Sequence, residues 1–268
     1  MTTIPNVAVH VFRDSVRDRV AYSLVFFAVL LMASSYLIGQ LTAGQDVKII
    51  KDLGLAAAST IGTFIAIFIG IGLVAKEVER RSVYSLLAKP IQRHELVLGK
   101  YFGLVLTLVV NLAIMAAAFY AVLACMAWLA PDRMAAAWEA PATDPRMLKA
   151  FVLIGVELAV VTAVALFFST FSSPFLSAAL TLGIYVMGHF SADLRNLGSV
   201  TESSVVGTVG TVLYYVVPNL AALDVKADVV HAQPVPLAYL LSTSTYAALY
   251  IAILLVGATW IFSRRDFK

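Results

Sequence analysis

Leu53–Ala75, LGLAAASTIGTFIAIFIGIGLVA, is 23 residues long and carries no charge. As a helix it would extend about 34 Å, enough to cross the roughly 30 Å of hydrocarbon in a bilayer. It runs straight into Lys76–Lys100, KEVERRSVYSLLAKPIQRHELVLGK, a basic, helix-prone segment that leads into a second long apolar stretch. The same alternation holds along the chain. Of 268 residues, 61% are apolar and only 13% charged, and the mean hydropathy is +0.90. A soluble bundle with this pattern would have to hide nearly every helix face. The composition therefore predicts an all-α polytopic membrane protein, a single transmembrane domain over residues 1–268.

Six transmembrane helices fit the apolar runs, at 20–41, 53–75, 101–130, 149–170, 175–191 and 240–262. The fourth and fifth are separated only by Ser172-Ser173-Pro174, a hairpin turn in which Pro174 can open the next helix. The segment before the first run has no small-x-small cleavage site, so that run is read as a retained span. An even number of spans puts both ends on one side, and charge chooses which. The N-terminal segment, 76–100 and the tail hold 12 Lys and Arg against 6 Asp and Glu, whereas the other loops with Lys149 hold 7 against 9. Basic residues favour the cytoplasm, so both termini are expected inside a cytoplasmic (inner) membrane.

Residues 203–217, SSVVGTVGTVLYYVV, are apolar but short. They are expected to form a re-entrant or interfacial segment before the last span, within an outer segment of 192–239; a seventh span is the alternative. The following stretch, with three prolines at 218, 234 and 236, is a polar linker expected to hold little regular structure in its second half. Residues 6–19 have Val7, Val11 and Phe12 at helical spacing and are expected to lie as an interfacial helix; plain basic flanking would account for their arginines equally well.

Function concentrates in 76–100. Val83, Leu86 and Leu87 can share a helix face, Glu79, Arg80 and Arg81 crowd its first turn, and Pro90 ends it before Arg93–Lys100 starts another helix. An apolar ridge with a charged rim suits docking of a soluble partner. An ordinary surface helix in a basic loop is the plainer reading. Glu157 lies eight residues into the fourth span, about 12 Å by helical rise, where a carboxylate is expensive. It is read either as a cavity-lining or proton site, or as a hydrogen-bonding group between helices. Asn111 and His189 are weaker cases of the same kind. Ala66 and Gly70, with Gly62 and Gly72, suit close helix packing at a bundle or subunit seam.

The sequence holds no GxxxxGK[ST] loop and no HExxH, and its one cysteine, Cys125, excludes an intrachain disulfide and a cysteine cluster. No catalytic, cofactor-binding or metal-ligating residue is expected in this chain. If ATP drives it, the ATPase must be another chain.

The segment Glu79–Arg93, ERRSVYSLLAKPIQR, followed by Leu98-Gly99-Lys100-Tyr101, resembles the first cytoplasmic loop of ABC type-2 permeases, which runs approximately E-x-x-x-[TS]-x-x-x-L-L-x-x-P-[IVL]-x-R and then G-K. The tail Ile261–Phe267 resembles the family's Phe-x-x-Arg-Asp ending, and Pro218-Asn219-Leu220 is similar to permeases associated with multi-copper-enzyme maturation and gliding. The resemblance implies a transmembrane subunit of an ATP-binding cassette transporter, usually an exporter. Two permease copies would assemble with two cytoplasmic ATPase subunits that hold ATP and magnesium. Loop 76–100 would carry the coupling helix, with Glu79, Arg93 and Lys100 at the family's charged positions. Membrane lipid is the other expected partner, with a periplasmic or extracellular protein at 192–239 left open; no nucleic acid is expected. That outer segment is longer and more polar than the compact pair in polysaccharide and drug exporters, so their cargo does not carry over. A secondary transporter or channel using Glu157 is the rival reading.

Overall fold

The computed structural model describes residues 3–16, 19–40, 46–79, 92–130, 138, 141–201 and 204–264. They form helices α1 (Thr3–Val16), α2 (Arg19–Gln40), α3 (Asp46–Glu79), α4 (Arg93–Leu129), α5 (Met147–Ser169), α6 (Pro174–His189), α7 (Ser191–Thr201), α8 (Ser204–Val216), α9 (Lys226–Val230) and α10 (Leu237–Arg264), with a 3-10 turn at Ala221–Leu223. Helix α5 is apolar on every side, and such a helix is stable only when surrounded. It is packed by α3, α4, α6 and α10.

The α3–α5 seam explains the small residues of α3. A Cβ on Gly62 would stand 2.8 Å from Leu158 Cδ1, and one on Gly70 would stand 3.1 Å from Ala165 Cβ. Ala66, on the same face, is 1% exposed. The glycines thus serve a seam inside the bundle. Their hydroxyl-bearing neighbours are satisfied within their own helices: Thr63 donates to the Ser59 carbonyl at 2.9 Å and Thr162 to that of Leu158 at 2.7 Å. By contrast α10 keeps a ridge of Leu249, Ile253, Val256 and Trp260 turned away from the core.

The expectation of six spans is not met. Among the described residues four helices are long and apolar enough to cross a membrane: Val47–Ile71, His94–Leu129, Met147–Ser169 and Leu237–Arg264. A fifth counts only if Val205–Val216 and Ala221–Val230, bent by 45° at their junction, are taken as one. The run at 175–191 fails on length. Helix α6 has 16 residues, a rise of about 24 Å, because Phe190 breaks it where sequence reading carried it on. Helix α2 runs 22 residues, of which Tyr22–Leu37 is the apolar stretch with described side chains, short of span length by itself. The parity argument for the termini loses its base with the six-span count.

Two further expectations change. The N-terminal helix exists, but its apolar ridge is spent on protein rather than on the membrane interface. Val7 and Val11 pack on α4, where Cβ atoms on Gly99 and Gly103 would lie 2.7 Å from them. Residues 203–217 are neither a clear re-entrant nor a clear interfacial element. Residues 204–216 form α8, which pairs with α7 and then bends toward the 3-10 turn and α9, while 231–236 carry no regular helix.

The turn between α5 and α6 forms as its residues dictate. Ser173 caps α6 with Pro174 at its start, and Ser172 and Ser177 share a hydrogen bond of 2.7 Å. The start of α4 and the ends of α5 and α10 meet in one apolar cluster of Val97, Tyr101, Ala163, Leu166, Leu255 and Ala258. Helix α1 docks on α4 just beside it, so one end of the bundle carries α1, the flanks of 76–100 and Arg264.

Candidate functional site

Polar groups gather in the middle of the bundle, on α3, α5, α6 and the linker that leads to α9. Glu157 projects from α5 ten residues after Met147, about 15 Å along the helix, and is 0% exposed. His189 ends α6. Its Nε2 stands 3.3 Å from Glu157 Oε1, an ion-pair distance, yet neither carboxylate oxygen has a hydrogen bond of good geometry. A buried polar atom without a donor is costly and calls for an explanation.

The imidazole is held from its other side. Nδ1 lies 3.0 Å from the Tyr185 carbonyl, one turn back on α6. A carbonyl can only accept, so Nδ1 carries hydrogen. The Tyr185 ring lies 4.6 Å from the imidazole between centroids, and its phenol is on the side of Thr63 and Ser59 of α3. The Lys226 ammonium donates to Ser59 Oγ at 3.1 Å and pairs with Asp224 at 3.2 Å. Four chain segments therefore converge on one polar knot.

That knot sits at the roots of the α7–α8 pair. The Leu220 amide donates to the Gly188 carbonyl at 3.1 Å, and a Cβ on Gly188 would stand 2.7 Å from the Pro218 carbonyl oxygen. Ser191 Oγ donates to Asn219 Oδ1 at 2.9 Å, while the Asn219 amide donates to the Tyr246 hydroxyl on α10 at 3.0 Å. The strand of chain leaving α6 and the one returning before the 3-10 turn are thus tied together.

At the bundle end away from α1, three cations hold linkers by their backbone. Lys51, 2% exposed, donates to the Pro141 carbonyl at 2.9 Å. Arg146 donates to Ala232 at 3.2 Å and Lys149 to Val235 at 2.6 Å. Ala232 has a positive φ of 57°, a left-handed turn residue closing α9. Desolvation by burial would make an unpartnered cation expensive, and the carbonyls meet that demand.

Of the residues singled out in the sequence, Glu157 and His189 come together. Asn111 does not join them: it lies on α4, where its Nδ2 is buried without a hydrogen-bond partner among the described residues. Lys100 is on the first turns of α4 and 5% exposed. Arg80, Arg81, Leu86, Leu87 and Pro90 lie outside the described residues; so do the surroundings of Gly72 and the side chains of Glu79 and Arg93. Sequence reading missed Tyr185, Ser59, Thr63 and Lys226. Tyr185 was within reach, four residues before His189 and so on the same helix face. Lys226 and Ser59 are 167 residues apart, a separation no periodicity reveals.

A family model described as ABC-2 family transporter protein matches residues 5–267. The chain belongs to the ABC-2 transporter family. No curated protein matches it. The family match agrees with the membrane-spanning helices and bears on the whole chain, without selecting a branch. Among the described residues of this ABC-2 protein no group of His, Cys, Asp and Glu is arranged to hold a metal ion.

Proposed function

We propose that this ABC-2 protein is the transmembrane subunit of an ATP-driven exporter, working as two copies with two cytoplasmic ATPase subunits that bind ATP and magnesium. The observation that carries the reading is the family match across 5–267. The form of α3 and α4 supports it. The charge-free run of α3 stops at Ala75, yet the helix continues to Glu79, about 6 Å further, and α4 resumes at Arg93. Two stiff helices of 34 and 37 residues thus flank 76–100 and run back into the core, which suits them to carry a push from a docked ATPase to the spans. The end bearing α1, these flanks and Arg264 is the basic one, which favours a cytoplasmic position for it and for both termini. The step Pro218-Asn219-Leu220 favours the branch of permeases associated with copper-enzyme maturation and gliding.

The test is affinity purification of the tagged protein from its native membrane in mild detergent, with mass spectrometry and an ATPase assay. Recovery of a stoichiometric ATPase is expected, and its loss on charge reversal at Arg80 and Arg81 or on truncation of Leu86 and Leu87 to alanine. Full assembly and coupling in both variants, or no nucleotide-binding partner after crosslinking in intact membranes, would refute the reading.

A further inference from the structure

We propose that Glu157 and His189 together bind a proton that latches the end of α6 to α5, and that losing this proton releases the roots of the α7–α8 pair. The argument is one of hydrogen counting. His189 Nδ1 must carry hydrogen because it faces the Tyr185 carbonyl at 3.0 Å. A neutral imidazole has one such hydrogen, so its Nε2 then presents a lone pair. That lone pair faces Glu157 Oε1 at 3.3 Å, inside a site where Glu157 is 0% exposed. Two acceptors do not hold each other at this distance in a dry interior. One further proton between them makes the contact attractive, whether it resides as imidazolium beside carboxylate or as neutral imidazole beside carboxylic acid. The proton belongs to the pair.

Every neighbouring element leaves that role open. Helix α3 offers the hydroxyls of Ser59 and Thr63 and no charge at this level. Helix α6 adds the Tyr185 phenol, α4 the Tyr101 phenol, which donates to the Ala159 carbonyl, and α10 the phenols of Tyr246 and Tyr250, both bonded at the roots. The linker adds Lys226, which is committed to Asp224 and Ser59. None of these donates to either oxygen of Glu157. When the proton passes to water, a buried carboxylate is left beside a lone pair, and separation of α6 from α5 relieves it. Gly188, Leu220, Ser191 and Asn219 then move with His189, because they are bonded across the two roots. The latch is closed while the proton is bound and opens as pH rises. It stands or falls independently of the exporter reading, since it needs no ATPase.

The experiment uses the full chain in lipid nanodiscs, with His10, His94 and His231 changed to Gln so that His189 is the only imidazole. Nitrogen-15 NMR and hydrogen-exchange mass spectrometry, corrected for intrinsic rates, are followed from about pH 5 to 9, where histidine pairs titrate. Expected is a protonated Nδ1 throughout, one pH transition in the Nε2 shift whether the proton sits on Nε2 or is donated to it by Glu157, and a rise of at least about tenfold in exchange over 186–194 through the same transition, the worth of one charge-assisted hydrogen bond. Glu157→Gln separates this from simple packing: its amide donates to the Nε2 lone pair, so 186–194 should stay protected at every pH. Glu157→Ala should leave it exposed at every pH. A protonated Nε2 with a bare Nδ1, or protection in the unsubstituted pair that does not change through the Nε2 titration, would overturn the proposal.

Discussion

Gly103→Ala should peel α1 from the bundle without unfolding it. The added Cβ would stand 2.6 Å from the backbone oxygen of Ala8 and 2.7 Å from Val11 Cβ. Neither atom is the free end of a side chain, so relief requires the whole of α1 to move. Overpacking a close contact of this kind costs about 1–3 kcal/mol. Alanine regains about 1 kcal/mol within α4 through its better helix propensity. That gain is the same whether or not α1 is docked, so docking itself loses about 1–3 kcal/mol, roughly 5- to 150-fold. The loss stays local because α1 packs chiefly on α4, while α5 is surrounded by four helices. Hydrogen exchange of the α1 amides in lipid, with α5 amides as internal reference, reads this directly. Gly183→Ala is the control, since nothing lies within 4 Å of its Cβ. Protection of α1 equal to that in the parent protein would refute the packing argument, as would equal losses in α1 and α5.

Lys51→Met should keep the side chain's bulk while stranding the Pro141 carbonyl, costing about 1–3 kcal/mol, and limited proteolysis should then cut faster near 138–146. Unchanged cleavage would mean that the carbonyl finds another donor. Lys226→Met should loosen 221–230 from α3, seen as faster exchange there with α10 unaffected; Ser59→Ala should give the same change more weakly. Ser173→Ala should cost less than the typical cap value of about 1 kcal/mol, because its bond to the Leu176 amide is long at 3.5 Å. A larger loss of thermal stability would show that the Ser172–Ser177 neighbourhood depends on it.

Membrane character, helical class and the helices around 53–75, 101–130 and 149–170 were legible in the sequence, because long apolar runs can satisfy their backbone in lipid only as helices. The turn at Ser172-Ser173-Pro174 and the small face of α3 were legible for the same kind of local reason. Loop 76–100 could be singled out by its charge and its proline, and the family match is consistent with that reading of the chain. Where the pattern misled, a tertiary contact was the cause. The span expected at 175–191 stops at His189, where the ring is held to the Tyr185 carbonyl and faces Glu157. The ridge of Val7 and Val11 meets α4 instead of the membrane interface because Gly99 and Gly103 open a groove for it. Apolarity says that a face must be covered and is silent on what covers it. Glu157 and His189 were visible one at a time as expensive residues in apolar runs. Only the packing of α6 and the linker against α3 and α5 decided that they meet, since a contact between residues 32 or 167 positions apart depends on the whole path of the chain between them.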